Sequence, residues 1–111
     1  MEINTTEYKN CTVIAAAGRV DSATASGLES AFKAVLEAEK YKIVFDMADI
    51  SFVSSAGWWV LIGAQKTCKK HSGEVVIANI EKSIYDSLSL VGMDDYFDIY
   101  DDLTAAVGNI G

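Results

Sequence analysis

Two periods of apolar and polar residues succeed one another along the chain. Ile3 to Tyr8 and Cys11 to Ala17 read as strands, and the polar Lys9-Asn10 between them suits a hairpin, so two antiparallel strands open the sequence. Gly18-Arg19-Val20-Asp21-Ser22 ends the second strand and offers Asp21 or Ser22 as a helix amino-terminal cap. Ala25, Leu28, Phe32, Val35 and Leu36 then fall on one stripe of a helix, with Glu29, Lys33, Glu37 and Lys40 on its other faces. This spacing predicts a helix that covers a sheet.

Tyr41 to Phe45 is rich in strand-forming residues and ends at Asp46, after which Met47-Ala48-Asp49 reads as a connection to the apolar run Ile50 to Val53. A continuous apolar run fits a strand buried on both faces, as in a parallel sheet covered by helices. From Gly57 a helix can run to about His71, stopped by Ser72-Gly73. Glu74 to Ala78 predicts a buried strand, and Glu81 to Leu90 a helix with Ile84, Leu88 and Val91 on one side, ended by Gly92. Phe97 to Tyr100 reads as a short last strand and Asp101 to Val107 as a final helical turn or two. The order β β α β α β α β α implies an α/β fold: a mixed central sheet of about five strands with helices mainly on one face.

One stretch stands out. Ile50 to Val53 breaks into Ser54-Ser55-Ala56-Gly57 and then becomes helical. A strand that turns into a helix leaves unpaired N–H groups, which a serine can cap and which, with the helix dipole, also favour an anion. A serine here is therefore a structural cap or a phosphorylation switch. On the helix from Gly57, the residues Trp58, Leu61, Ile62 and Cys68, flanked by Val60 and Ala64, form an apolar face. Trp59 falls outside it, with Gly63, Lys66 and Lys70 at helical spacing. Either Trp59 faces solvent and serves as an interface anchor, or a rotated helix or the carboxy-terminal segment buries both indoles.

Composition narrows the function. At 111 residues, one domain spanning 1–111 is expected. The net charge of −7, from 16 acidic against 9 basic side chains, would repel a phosphate backbone, so nucleic acid is not an expected partner. No apolar run approaches the roughly 18 residues of a membrane span, and the start Met1-Glu2-Ile3-Asn4 lacks a signal-peptide pattern, so a cytoplasmic protein with no membrane association is expected. Cys11 and Cys68 have apolar neighbours and read as buried reduced thiols. The single histidine, His71, reads as a helix-end residue. No metal site, cofactor or catalytic motif is expected: nucleophile elbow, phosphate loop and dinucleotide fingerprint are all missing. A monomer is the default expectation.

The order of elements, the Gly18-Arg19-Val20-Asp21 turn, the Ile43-Val44-Phe45-Asp46 strand, the Val53-Ser54-Ser55-Ala56-Gly57 turn and the late Leu90-Val91-Gly92-Met93-Asp94-Asp95-Tyr96-Phe97-Asp98-Ile99-Tyr100 segment together resemble the STAS domain of bacterial anti-sigma factor antagonists. The resemblance covers nearly the whole chain. It implies a protein that binds an anti-sigma factor with serine kinase activity, is switched off when that kinase phosphorylates a serine before the second helix, and is restored by a serine phosphatase. The family motif reads Asp-Ser-Ser-Gly. With Gly57 on its glycine, Ser55 takes the phosphorylated position, Ala56 replaces the second serine, and Ser54 stands where the aspartate would be, which makes Ser54 the second candidate acceptor. An acidic residue equivalent to Asp21 lies near the switch serine in the family. The expected partner-binding set is Asp21, Ser54, Ser55, Ala56, Gly57, Trp59, Gly63 and Lys66. The alternative is a non-phosphorylated STAS module serving a transporter or a stress-signalling assembly. A third reading, a small-ligand domain or an enzyme, rests only on the anion-binding potential of the turn.

Overall fold

The computed structural model describes residues 1–110. Five strands form one mixed sheet in the order β1-β2-β3-β4-β5. Strand β1 (Glu2–Glu7) pairs antiparallel with β2 (Thr12–Val20), and β3 (Lys42–Val53), β4 (Glu74–Ala78) and β5 (Ile99–Tyr100) continue the sheet in parallel. The expected hairpin closes on Lys9-Asn10, where the Tyr8 amide donates to the Cys11 carbonyl at 2.8 Å. Helices α1 (Ala25–Glu37), α2 (Ser55–Lys70), α3 (Lys82–Leu90) and α4 (Leu103–Asn109) follow the strands as the sequence order expects, with a short 3-10 turn at Asp94–Tyr96 before β5.

Alternation along the central strands sorts their side chains onto two faces. Ile14, Ile43, Phe45, Val75 and Ile77 join the larger core with Leu28 and Phe32 of α1, Trp58 and Leu61 of α2, and Ile84 and Leu88 of α3. Val13, Val44, Val76 and Ala78 point the other way and are covered by Ala106 of α4 and Ile110. Three helices thus lie on one face and the last on the other. Both cysteines are buried and unbridged. Burial pushes the Cys68 thiol up to about 11 and raises that of Cys11, so neither supplies a thiolate at neutral pH.

Four expectations need correction. Met47-Ala48-Asp49 is not a connection, because β3 runs unbroken from Lys42 to Val53. Its pairing with β2 slips twice: Ala15 faces Asp46 but Ala17 faces Asp49, and Gly18 faces Ile50 but Arg19 faces Phe52. Each slip adds one residue to β3, so its core-facing positions become Met47, Ile50 and Val53, three apart instead of two. The Asp46 carboxylate accepts from the Ala48 amide at 3.1 Å within the first bulge, and Gly18 adopts φ 103° at the second. Strand β2 continues through Arg19 and Val20 because the bulged β3 keeps pace with it. Val91 lies beyond the last turn of α3 and is exposed rather than packed with Ile84 and Leu88. The last strand shrinks to Ile99–Tyr100.

The short β5 leaves part of the β4 edge uncovered, and Gln65 of α2 fills the gap. Along that edge Ile77 donates to Asp98 at 3.0 Å and Asn79 to Tyr100 at 3.2 Å. At the next position in line, the Val75 amide donates to Gln65 Oε1 at 2.6 Å while Gln65 Nε2 donates to the Val75 and Tyr96 carbonyls at 3.0 and 2.9 Å. The fully buried amide side chain acts as a substitute strand residue. Replacing Gln65 with Leu removes these partners from buried backbone groups, and the expected loss of stability is about 2–4 kcal/mol in urea unfolding. A loss below about 0.5 kcal/mol, the range of ordinary surface substitutions, would show that the edge is satisfied without it.

Candidate functional site

The ends of β2 and β3 meet at the turn into α2. The Ser54 amide donates to the Val20 carbonyl at 2.7 Å, which sets the β2–α1 loop beside the β3–α2 turn. Close approach is possible because Gly57 has no side chain: a Cβ there would lie 2.6 Å from Val20 Cγ1 and 2.8 Å from Val53 Cγ1. Both valines are buried in the core. Trp58 anchors the same turn from inside, its indole Nε1 donating to Ser87 Oγ at 3.2 Å while that hydroxyl donates to the Val53 carbonyl at 3.4 Å.

The two serines have different environments. Ser54 occupies the amino-terminal cap position of α2 with φ −85° and ψ 172°, and its carbonyl accepts from the Trp58 amide at 3.1 Å. Its hydroxyl does not cap the helix; the oxygen is buried with no hydrogen-bond partner. Ser55 is the first helical residue and is exposed. No acidic side chain lies in the first turn of α2, so nothing charged offsets the positive end of its dipole. The cap reading of Ser55 therefore gives way: the cap position belongs to Ser54.

Asp21 sits in the neighbouring loop with its carboxylate already engaged. Its Oδ1 accepts from the Ala23 and Thr24 amides at 3.0 and 3.2 Å, and the Thr24 hydroxyl ties the loop to the Arg19 carbonyl at 2.8 Å. Asp21, one of the two residues the sequence offered, caps the turn that leads into α1: the Thr24 hydroxyl accepts from the Asp21 amide at 2.9 Å in return, and Thr24, the residue just before the helix, makes no side-chain cap bond of its own. Arg19 lies 3.9 Å from Asp21 Oδ2 and stacks over the exposed Phe52 ring at 4.3 Å, putting an aromatic and a cation beside the turn that the sequence pattern did not single out. Phe52 follows the second bulge, and a plain strand alternation gives no sign of its outward aim.

Along α2, Trp58 is buried and Trp59 is 61% exposed. Trp59 is one helical turn, about 6 Å along the axis, from Ser55. It shares with Gly63 a groove of about 320 Å³ between α1 and α2, floored by Phe32 and Leu36 and edged by Glu29 and Lys33. Asp21, Ser54, Ser55, Ala56 and Gly57 gather at the turn, and Trp59 and Gly63 extend it. Lys66 stands apart, eleven residues and about 16 Å of helix beyond Ser55, and it does not line the groove. Among the described residues no group of three or more His, Cys, Asp or Glu side chains could hold a metal ion, and no helix is long and apolar enough to cross a membrane.

Two outcomes follow from this geometry. Substituting Gly57 with Ala forces a methyl group onto two buried valines, and the strain outweighs the helix-propensity gain of about 1 kcal/mol. A net loss of about 1–3 kcal/mol is expected in denaturant unfolding, and unchanged or increased stability would show that the turn has room. Iodide should quench part of the tryptophan fluorescence, and Trp59→Ala should remove that accessible part while the Trp58 emission stays protected. Emission protected throughout would place Trp59 inside.

The chain is similar to an anti-sigma-B factor antagonist of Listeria monocytogenes, with 24% identity over 83 residues, 75% of this chain and 73% of that protein. The structure superposes on an anti-sigma factor antagonist from Mycobacterium paratuberculosis with a TM-score of 0.89 at 22% identity, covering 98% of this chain and 92% of that one. It also superposes on the anti-sigma factor antagonist SpoIIAA of Bacillus, solved in unphosphorylated and phosphorylated forms, with a TM-score of 0.74 and 13% identity in each case, covering 97% and 96% of this chain and 96% and 98% of the respective SpoIIAA chains. The superpositions show a common fold over nearly the whole chain. The model of the STAS domain matches residues 2–106, and the protein belongs to the STAS domain family.

Proposed function

We propose that the chain is a protein-binding antagonist of an anti-sigma factor, switched off by phosphorylation of Ser55. The observation that carries this reading is the position of Ser55, which is exposed on the first helical residue of an uncapped helix and lies one turn from an exposed tryptophan. A phosphoserine brings about −1.5 to −2 charge. The free amides and dipole of the α2 start can hold that charge without rearranging the core. Bound partners would then be lost because the new dianion is costly to bury in an interface. Names of similar proteins support the same reading, since they are antagonists and one has been solved with and without phosphate.

In this reading Trp59 is the interface anchor, the partner is an anti-sigma factor with serine kinase activity, and a serine phosphatase reverses the switch. The domain itself binds and does not catalyse; its two thiols are buried and raised. Ser54 at the place of the motif acid favours a second reading, a STAS interaction module of another complex that is never phosphorylated. Incubation with the anti-sigma factor kinase of the source organism and ATP, followed by intact mass, separates the two. One phosphate is expected on the wild type and on Ser54→Ala, and none on Ser55→Ala. Phosphate persisting on Ser55→Ala would move the site, and an unmodified wild type would favour the second reading.

A further inference from the structure

The end of the sheet opposite the serine turn carries a second concave site. There the β1–β2 turn, the connection after α1 and the turn after α2 enclose an open cleft of about 320 Å³. Lys9 comes from the first segment, Lys40 and Lys42 from the second, and His71 and Ser72 from the third. Lys69 and Lys70 stand in the last turn of α2 just before it. So Lys9, Lys40, Lys42, Lys69 and Lys70, five of nine basic side chains, collect with the single histidine at one pole of a chain whose net charge is −7. Glu39 lines the cleft, Glu7 pairs with Lys40 and Glu74 stands beside Lys42 in the β3–β4 register, so the basic excess comes from Lys69 and Lys70 at its border.

Its walls are built rather than loose. The Tyr41 ring stacks on His71 with centroids 4.0 Å apart and planes 7° from parallel, which fixes one flat side. Both helix ends here are closed by their own backbone, Lys40 donating to Val35 at 3.2 Å and Gly73 to Cys68 at 2.8 Å. The closing residues, Glu39 and Ser72, adopt φ 61° and 63°, a conformation that glycine takes at less cost, yet both carry side chains that line the cleft. Lysines after a helix also offset the negative end of its dipole. That does not account for Lys9, which lies in a strand turn.

We propose that this cleft binds a small phosphorylated molecule, a phosphate ester or a diphosphate, as an input separate from the serine turn. Several ammonium groups and a hydroxyl around a pocket at the small end of the ligand-binding range match the charge and the acceptor oxygens of such an anion. The site shares no residue with the proposed phosphoserine switch, so either can fail alone.

Titration of the whole chain with inorganic pyrophosphate and with glycerol phosphate, followed by amide resonances, tests it. At least one probe should produce saturable shifts at Lys9 to Thr12, Glu39 to Lys42 and His71 to Gly73, leaving Ser54 to Gly57 unmoved. The double variant Lys9→Gln/Lys42→Gln changes two exposed side chains. It should keep the folded spectrum and weaken binding about tenfold per lysine, while Lys82→Gln should bind as the wild type does. Three results would overturn the proposal: no saturable shift with either probe, binding that the double variant leaves intact, or sedimentation with phosphatidylglycerol vesicles in the absence of binding to either probe. The first would assign the lysines to the helix ends, and the last to a membrane surface.

Discussion

How closely α2 approaches the ends of β2 and β3 governs the geometry of the serine turn. The Ser54 amide on the Val20 carbonyl, and Gly57 against Val20 and Val53, lock three elements at one point. Once α2 starts there, its direction fixes what faces the sheet and what faces water. Trp58 is drawn under the turn to Ser87, and the next residue, rotated by about 100° on a helix of 3.6 residues per turn, is left outside. The exposed serine and the exposed indole are consequences of one packing contact.

The same contact depends on β3 reaching the turn with Val53 pointing inward. Over its first half β3 obeys simple alternation, and over its second half two bulges stretch the inward spacing to Met47, Ile50 and Val53. Without the extra residues Val53 would not stand beside Val20 at the place where Gly57 packs. Bulges near functional sites commonly re-aim side chains, and here they also turn Phe52 outward under Arg19. The other edge of the sheet meets a different need, with Gln65 supplying hydrogen bonds where β5 is too short.

The polar chemistry of the chain divides between the two ends of the strands. At the ends of β2 and β3 lie the serines, the engaged Asp21 and an uncapped helix start. At the beginnings of β2, β3 and β4 lie three lysines and the Tyr41–His71 stack. A helix running between two layers of loops has an amide end and a carbonyl end, and α2 presents its amide end to the serine turn and its lysine-bearing end toward the cleft. The rigid sheet keeps these regions apart, so a charge placed at Ser55 need not disturb the other pole.

Residue spacing alone determined the number and order of the strands and α-helices and the stripe of α1, because helical and strand periods are local properties of the chain; it left two places for Trp59, and the packing of Trp58 under the turn decided between them. Spacing also placed the break at Ser54 to Gly57, since small residues between an apolar run and a helix mark a turn without reference to anything distant. It misread Met47 to Asp49, because a bulge is a relation between two strands and leaves a period of three that belongs to neither template. That neither serine hydroxyl caps α2, what engages Asp21, that Gln65 completes a sheet edge and that distant lysines share one cleft were decided only by tertiary structure. Each depends on groups brought together from far along the sequence, whose meeting no local pattern records.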